Sequence, residues 1–396
     1  MRSLVLLLVI PMAFAPLEAG SYWTSTGFTV IGPSSANELE ADGAGFVIGR
    51  PSEMNATGIL TFAAPGASPT TLQPEQAGQG AQFGHRIAVS GDLMVVTEAR
   101  RNTQFPAASG FVNFYERTAG QWLRTYATGS PYQPSMEHEF GDALAVAEDR
   151  VFIGAPGYLT QRGVVWVYER TGAGTWPLYP TGSVFAFDGA GFDDFGSAIA
   201  AEGDWLAVGA PLMERDASAE GEGAVYLYRR IDGVYVQIQR LMAPSPQHGA
   251  GFGSSIDLRD GILVVGAASE DDPVAGGDVG AAYVFALVAG RWEFQQRLVD
   301  DEGAPTDSFG GGVVIRAGTI VVAAPLDDNE FGVNAGAAHV FERIGGDWHE
   351  TGRIAPAKPP LAISDTAIAR LDYLAPDVLV RYYPTSERIL ASGFED

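Results

Sequence analysis

Phe195-Gly196-Ser197-Ala198-Ile199-Ala200-Ala201-Glu202-Gly203-Asp204-Trp205-Leu206-Ala207-Val208-Gly209-Ala210-Pro211 is the stretch that decides how the chain is read. A small apolar run, a tight Glu-Gly-Asp turn and a second apolar run make two short strands. The second run stops at Pro211, which has no N–H to give a ladder. A loop to Glu222 follows, then Gly223-Ala224-Val225-Tyr226-Leu227-Tyr228 as a third strand. Ile231-Asp232-Gly233 turns the chain into a fourth strand from Tyr235 to Leu241. Four short strands joined by Gly/Asp turns predict one antiparallel meander.

The same sentence recurs along the chain. Phe83-Gly84, Phe140-Gly141, Phe195-Gly196, Phe252-Gly253 and Phe309-Gly310 follow one another at steps of 57, 55, 57 and 57 residues. A period of this length marks stacked or ring-forming units. Third strands such as Val164-Val165-Trp166-Val167-Tyr168 and Ala281-Ala282-Tyr283-Val284-Phe285 are apolar on both faces, so both faces are buried. First strands are small (Ile87-Ala88-Val89, Leu144-Ala145-Val146, Ala198-Ile199-Ala200), as the crowded axis of a ring requires. Aromatic residues collect on the third strand, where wedge-shaped blades diverge. A β-propeller satisfies all of these features. From the Gly opening a third strand to the aromatic residue opening the fourth, Gly110–Trp122, Gly223–Tyr235, Gly280–Trp292 and Gly336–Trp348 each span 12 residues, and Gly163–Trp176 spans 13.

Extending the step backwards reaches Thr26-Gly27-Phe28, with Gly45 to Pro51 and Gly58 to Phe62 as echoes of the second and third strands. Extending it forwards reaches Thr366, followed by Ala367-Ile368-Ala369, Asp377 to Tyr383 and Arg388-Ile389-Leu390. The expectation is an all-β, seven-bladed propeller of four-stranded antiparallel blades, with six blades as the alternative. Units start near 26, 83, 140, 195, 252, 309 and 366, within a single domain over residues 20–391.

These residues resemble the FG-GAP repeat, the unit of the integrin α-chain propeller and of many secreted bacterial proteins. Phe140-Gly141 with Gly154-Ala155-Pro156, and Phe195-Gly196 with Gly209-Ala210-Pro211, carry both halves of the motif. Gly266-Ala267-Ala268 and Ala323-Ala324-Pro325 are near matches, and the unit at Phe83 has Thr97-Glu98-Ala99 instead. The resemblance implies a propeller and an extracellular binding or adhesion role, and leaves the ligand open because function lies in sites grafted on folds. It also implies Ca²⁺ in loops between first and second strands reading D-x-D-x-D-G. Here those loops are Ser90-Gly91-Asp92, Glu148-Asp149, Glu202-Gly203-Asp204, Arg259-Asp260-Gly261 and Ala317-Gly318. Six or more oxygen ligands do not converge in turns so short.

Composition narrows the function. The formal net charge of −24 argues against nucleic acid and anionic membranes, which call for basic patches. The chain has no cysteine, which excludes disulfides and thiolate metal sites. Met1-Arg2-Ser3 followed by the apolar run Leu4 to Ala15 reads as a signal peptide over residues 1–19. The expected location is therefore secreted, at the cell surface or periplasmic, with no membrane span after cleavage. Asn55-Ala56-Thr57 is a glycosylation sequon, and residues 392–396, Ser-Gly-Phe-Glu-Asp, form a short tail.

In a meander, loop two and the link to the next blade share one face. The long loops 100–109, 212–222, 269–279 and 326–335 all fall there, and binding residues concentrate on such loops. They are acidic, and Asp216, Glu220, Asp271, Asp272, Asp278, Asp327 and Asp328 are the candidate ligand-binding residues. Weak Ca²⁺ sites or an electronegative rim is one reading. Solvated carboxylates and Asx-turns are the other, and Asp188/Asp193 and Asp301/Asp307 bracket turns that such capping explains. The five histidines lack metal-ligand spacing, no G-x-S-x-G elbow occurs, and no carboxylate pair stands out. The expectation is a monomeric, non-enzymatic scaffold binding a protein or glycan, without a required cofactor. A hydrolase or lyase acting on a polysaccharide in the central channel is the alternative, and it needs polar side chains at the axis.

Overall fold

The computed structural model describes residues 27–32, 38–43, 45–64, 68–75, 80–99, 110–131, 139–214, 221–329, 331–357, 361–364, 367–374 and 377–384. The signal segment 1–19, Thr26, the strand expected at Arg388–Leu390 and the 392–396 tail lie outside them. The described residues form a propeller of four-stranded antiparallel sheets, seven in all. Their inner strands are Glu38–Asp42, Phe83–Ser90, Leu144–Ala147, Ile199–Glu202, Ser255–Arg259, Gly312–Arg316 and Leu361–Ile363. Each packs against the next, and the last packs against the first, so the ring is closed.

Six sheets are each a single run of chain with strands in sequence order. The remaining sheet joins the two ends of the described chain: Leu361–Ile363, Ala367–Leu374 and Asp377–Pro384 are completed on the outside by Gly27–Gly32. This corrects the reading of both worn units. Gly27–Gly32 does not open the first sheet; Glu38–Asp42 does. The last inner strand lies before Thr366, and Ala367–Leu374 is the second strand of its sheet. Periodicity located the units but not which sheet a strand joins, because pairing across the closure leaves no local signal. Trp176 does not open a fourth strand either. That strand is the short Gly182–Val184, and Trp176 lies in the turn-rich approach to it, its Nε1–H donating to Glu116 Oε1 at 3.1 Å.

Third strands behave as their sequences demand. The first five residues of Ala224–Ile231 and of Ala281–Val288 are all buried between neighbouring sheets. Phe83, Phe140, Phe195, Phe252 and Phe309 are all buried at equivalent positions. Phe83, Phe195 and Phe252 stand edge-on to third-strand aromatics and Phe309 to His339 and Phe341; Phe195, for example, lies 5.6 Å from Tyr226.

The glycines explain why the motif has two halves. The N–H of the Phe-Gly glycine donates to the backbone carbonyl of the next-to-last residue of its own second strand: Gly141 to Gly154, Gly196 to Gly209, Gly253 to Gly266 and Gly310 to Ala323, at 2.8–2.9 Å. The preceding sheet then comes up against the same Phe-Gly backbone. A Cβ placed on Gly209 would stand 2.2 Å from the Gly253 carbonyl oxygen, and one on Gly154 would stand 2.1 Å from that of Gly196. The glycine opening each third strand is equally confined: a Cβ on Gly163 would meet the Phe195 carbonyl oxygen at 1.8 Å, and one on Gly223 that of Phe252 at 2.2 Å. Neighbouring sheets therefore touch backbone to backbone. Departures from the motif follow the same logic. Ala323 replaces glycine where the next sheet has no Phe-Gly, and Thr97 replaces it where its hydroxyl donates to the Gly141 carbonyl at 2.8 Å.

Two expectations follow for denaturant melts. Phe195→Ala should cost about 3–5 kcal/mol through the cavity it leaves. Gly209→Ala should cost about 1–3 kcal/mol by overpacking the seam, whereas Ala323→Gly should cost about 0.5–1 kcal/mol. Equal effects of the two glycine-site changes would show that sheet contact does not set the motif.

Candidate binding face and axial channel

Strand reversal sorts the loops by side. On one side the turns are minimal: Asp232-Gly233, Asp260-Gly261, Ala289-Gly290 and Ala317-Gly318 each place two residues at positive φ, the geometry of a two-residue hairpin. No D-x-D-x-D-G loop is present at these turns. The third sheet is the exception on this side, with residues 170–181 between Val164–Glu169 and Gly182–Val184. Among the described residues, the long loops 269–279 and 326–335 lie on the opposite side.

Most acidic candidates on that side hold their own loops. Asp271 Oδ1 accepts the Asp278 N–H at 3.0 Å, and Asp272 Oδ1 accepts those of Val274 and Ala275 at 2.8 Å. These two amides hold the Asp272 carboxyl below the usual carboxylate range. Asp328 Oδ1 accepts the Asn334 N–H at 2.6 Å. In the links, Asp193 and Asp307 cap the N–H groups of Ala190 and Ala304. Asp327 departs from the expected exposed rim: it is buried, pairs with Arg353 and accepts Asn329 Nδ2 at 2.8 Å. Asp216 and Glu220 lie outside the described residues.

Apolar loop tips were not singled out in the sequence. Val274 is 93% exposed, Val333 79% and Phe331 57%, all at the ends of Asp-capped loops. Leu159, Phe187, Phe192 and Leu212 are exposed on the same side, from loops and links of the third and fourth sheets. The available signal was Val274 in one Asp/Gly-rich segment and Phe331 and Val333 in the other, which composition averages away.

Beneath this face a three-residue arrangement recurs. A loop-two acid, the third residue of the third strand and a fourth-strand arginine meet as Glu98–Asn113–Arg124, Glu270–Tyr283–Arg297 and Asp327–His339–Arg353. Asn113 Nδ2 donates to Glu98 at 2.7 Å, and Arg124 Nη1 to Asn113 Oδ1 at 3.3 Å. The Tyr283 hydroxyl donates to Glu270 Oε2 at 2.5 Å, and Arg297 Nη2 pairs with Glu270 at 2.8 Å. Burial, then the Glu270 carboxylate, pushes the Tyr283 hydroxyl upward. The sequence spacing of His339 gave no sign of metal ligation, yet folding brings it together with Asp300 and Asp327.

The axis also differs from its expected apolar character. A channel of about 510 Å³ is lined by small apolar residues and by Glu38, Glu40, Arg86, Asp257 and Arg316. The first inner strand supplies both glutamates; it was missed because no Phe-Gly announces it. Arg86 Nη1 stands 3.3 Å from Glu38 Oε2, and its Nε donates to the Asp142 carbonyl at 2.7 Å. Asp257 ties two inner strands, accepting the Leu258 and Ile315 N–H groups at 2.8 and 2.7 Å. Burial pushes Glu38 up to about 7 against the pull of Arg86, and Asp257 up to about 6 against its two amides. Burial, with Glu38 and Asp257 near, holds Glu40 well above the usual carboxylate range.

Residues 181–228, 235–285 and 292–341 each match the FG-GAP repeat family. The chain carries FG-GAP repeats. Each matched window begins at the outer strand of one sheet and ends in the third strand of the next. The FG-GAP unit in sequence is thus offset by one strand from the sheet in space, as the closure between Gly27–Gly32 and Asp377–Pro384 requires. No curated protein matches the chain. Among the described residues, no helix of this FG-GAP propeller is long and apolar enough to cross a membrane.

The axial acids have a consequence for stability. Their folded-state proton affinities lie above those of free carboxyls, so their contribution is fully present below the ordinary carboxylate range. It is lost as pH rises through about 6–7 for Asp257 and Glu38. The unfolding midpoint should fall between pH 5 and pH 8, and Glu38→Gln should flatten that fall. Identical pH profiles for the two proteins would remove Glu38 from the effect.

Proposed function

We propose that this FG-GAP propeller is an exported, non-enzymatic scaffold that binds a protein or glycan through its loop-rich face. The observation that carries this reading is the set of exposed tips Val274, Phe331 and Val333, held out by the backbone-capping Asp272 and Asp328 carboxylates and the Asn329 amide oxygen. Apolar side chains presented together, with a polar rim around them, mark interaction surfaces. The capping carboxylates act chiefly by fixing loop shape, which lowers the entropy lost on binding. The reading includes a monomer delivered by its leader segment, and it requires no cofactor. Ca²⁺ bound by the acidic loops is expected at the millimolar strength of extracellular modules.

The test is a glycan array and pull-down with the mature protein, run beside a variant with Val274→Ser, Phe331→Ser and Val333→Ser. Surface changes of this kind usually stay within about 0.5 kcal/mol of stability each, so melting should be little altered while captured ligand is lost. Retention of binding by that variant, with loss on changing Asp92 or Asp232 in the hairpin turns, would place the site on the wrong side.

The axial channel supports a second reading as a hydrolase or lyase acting on a polysaccharide. Its support is specific: Glu38, Glu40 and Asp257 all titrate above ordinary carboxyls, and a carboxyl protonated near neutrality serves as a general acid. Reducing-end release from a polysaccharide panel, abolished by Glu40→Gln and retained in the loop-tip variant, would establish it. Absence of turnover across the panel at pH 5–8 would count against it.

A further inference from the structure

The sixth sheet departs from its neighbours at one buried point. His339 occupies the third-strand position held by Tyr283 in the fifth sheet and Asn113 in the second. Its ring is 1% exposed and lies edge-on to Phe309, with centroids 5.2 Å apart. Nδ1 stands 3.0 Å from Glu350 Oε1. A carboxylate only accepts, so Nδ1 carries the hydrogen and Nε2 presents its lone pair.

That lone pair points at another acceptor. Nε2 is 3.4 Å from Asp300 Oδ2, on a side chain 7% exposed, and neither atom has a hydrogen-bond partner. The other Asp300 oxygen is anchored, accepting the Glu302 N–H at 2.9 Å. Asp327 completes the group, with one ligand atom from each of the three residues lying within 4.8 Å of the others. In the fifth sheet the longer Glu270 reaches the tyrosine hydroxyl directly, and the preceding link, residues 242–251, has no acid. In the sixth the acid is one methylene shorter, the ring stops short of it, and Asp300 is added from the link. Asp307 and Asp328 add further negative charge nearby, and Arg353 is the cation paired with Asp327.

Two buried acceptors facing each other repel unless a cation lies between them. We propose that Asp300, Asp327 and His339 Nε2 form a binding site for a divalent transition ion of the Zn²⁺ class. One imidazole nitrogen with two carboxylate oxygens suits Zn²⁺ and leaves a fourth position open, whereas Ca²⁺ and Mg²⁺ prefer all-oxygen shells. Metal–ligand bonds of about 2.0–2.1 Å set tetrahedral edges of about 3.3 Å, which the His339–Asp300 separation already meets. Glu350 has the place of an outer carboxylate that orients the ligating ring. Such an ion ties the fifth-to-sixth link, loop two and the third strand of the sixth sheet together beneath the loop face.

The test uses the full mature chain, stripped with chelator and titrated with Zn²⁺ by calorimetry and with Co²⁺ by visible absorption. One ion per chain and a Co²⁺ ligand-field band are expected, with a rise in melting temperature on adding Zn²⁺. His339→Tyr restores the residue of the fifth sheet, so it should fold and lose the site. Asp300→Asn should also lose it, and Glu350→Gln should weaken binding about 10–100-fold. Absence of binding in the unaltered chain would overturn the proposal in favour of an imidazolium–carboxylate pair. Binding undiminished by both His339→Tyr and Asp300→Asn would overturn it in favour of surface carboxylates.

Discussion

Backbone contact between neighbouring sheets is the constraint on which the rest of this molecule depends. The Gly253 carbonyl oxygen occupies the place where a side chain on Gly209 would begin, and the same holds for Gly310 against Gly266 and Gly196 against Gly154. Sheets that touch so closely have no freedom to slide or splay. The buried Phe83, Phe195, Phe252 and Phe309 pack beside the contact and stand against rings of the third strand. Glycine supplies the approach and phenylalanine fills the wedge beside it, so the two always occur together.

Once that seam is fixed, the two sides of the ring acquire different chemistry. Hairpin turns of two residues leave little free to vary on one side, apart from residues 170–181 of the third sheet. On the other, each crossing to the next sheet starts and ends at a fixed point but runs through a loop of arbitrary length. Carboxylates there satisfy loop amides first, at Asp271, Asp272 and Asp328, and this holds apolar tips out into solvent. Acidity on this face is therefore largely a means of shaping backbone.

Departures from the repeat are more informative than its regularity. Where a sheet lacks the Phe-Gly contact, as in the first and last, the inner strand is released to take other residues, and Glu38 and Glu40 enter the axis. Where the third-strand residue becomes His339 and its acid shortens to Asp327, a satisfied hydrogen-bond set becomes an unsatisfied one. Both changes place polar side chains where the neighbouring units have apolar or satisfied ones.

The sequence by itself determined the four-stranded antiparallel sheet, the propeller and the burial of the repeat phenylalanines. These follow from strand length, turn residues and a period near 57, all of which act within a few dozen residues. It also placed the long acidic loops on one side, since strand reversal alone decides that. Only the tertiary structure decided that Gly27–Gly32 completes the last sheet, because edge pairing at closure depends on where the ring ends meet. It alone buried Asp327 against Arg353, brought Glu40 near Asp257 across the axis and set His339 against Asp300. Glu40 and Asp257 are more than 200 residues apart in sequence. Contacts of that kind arise when separate units close into one ring, and the residues within any single unit hold no record of them.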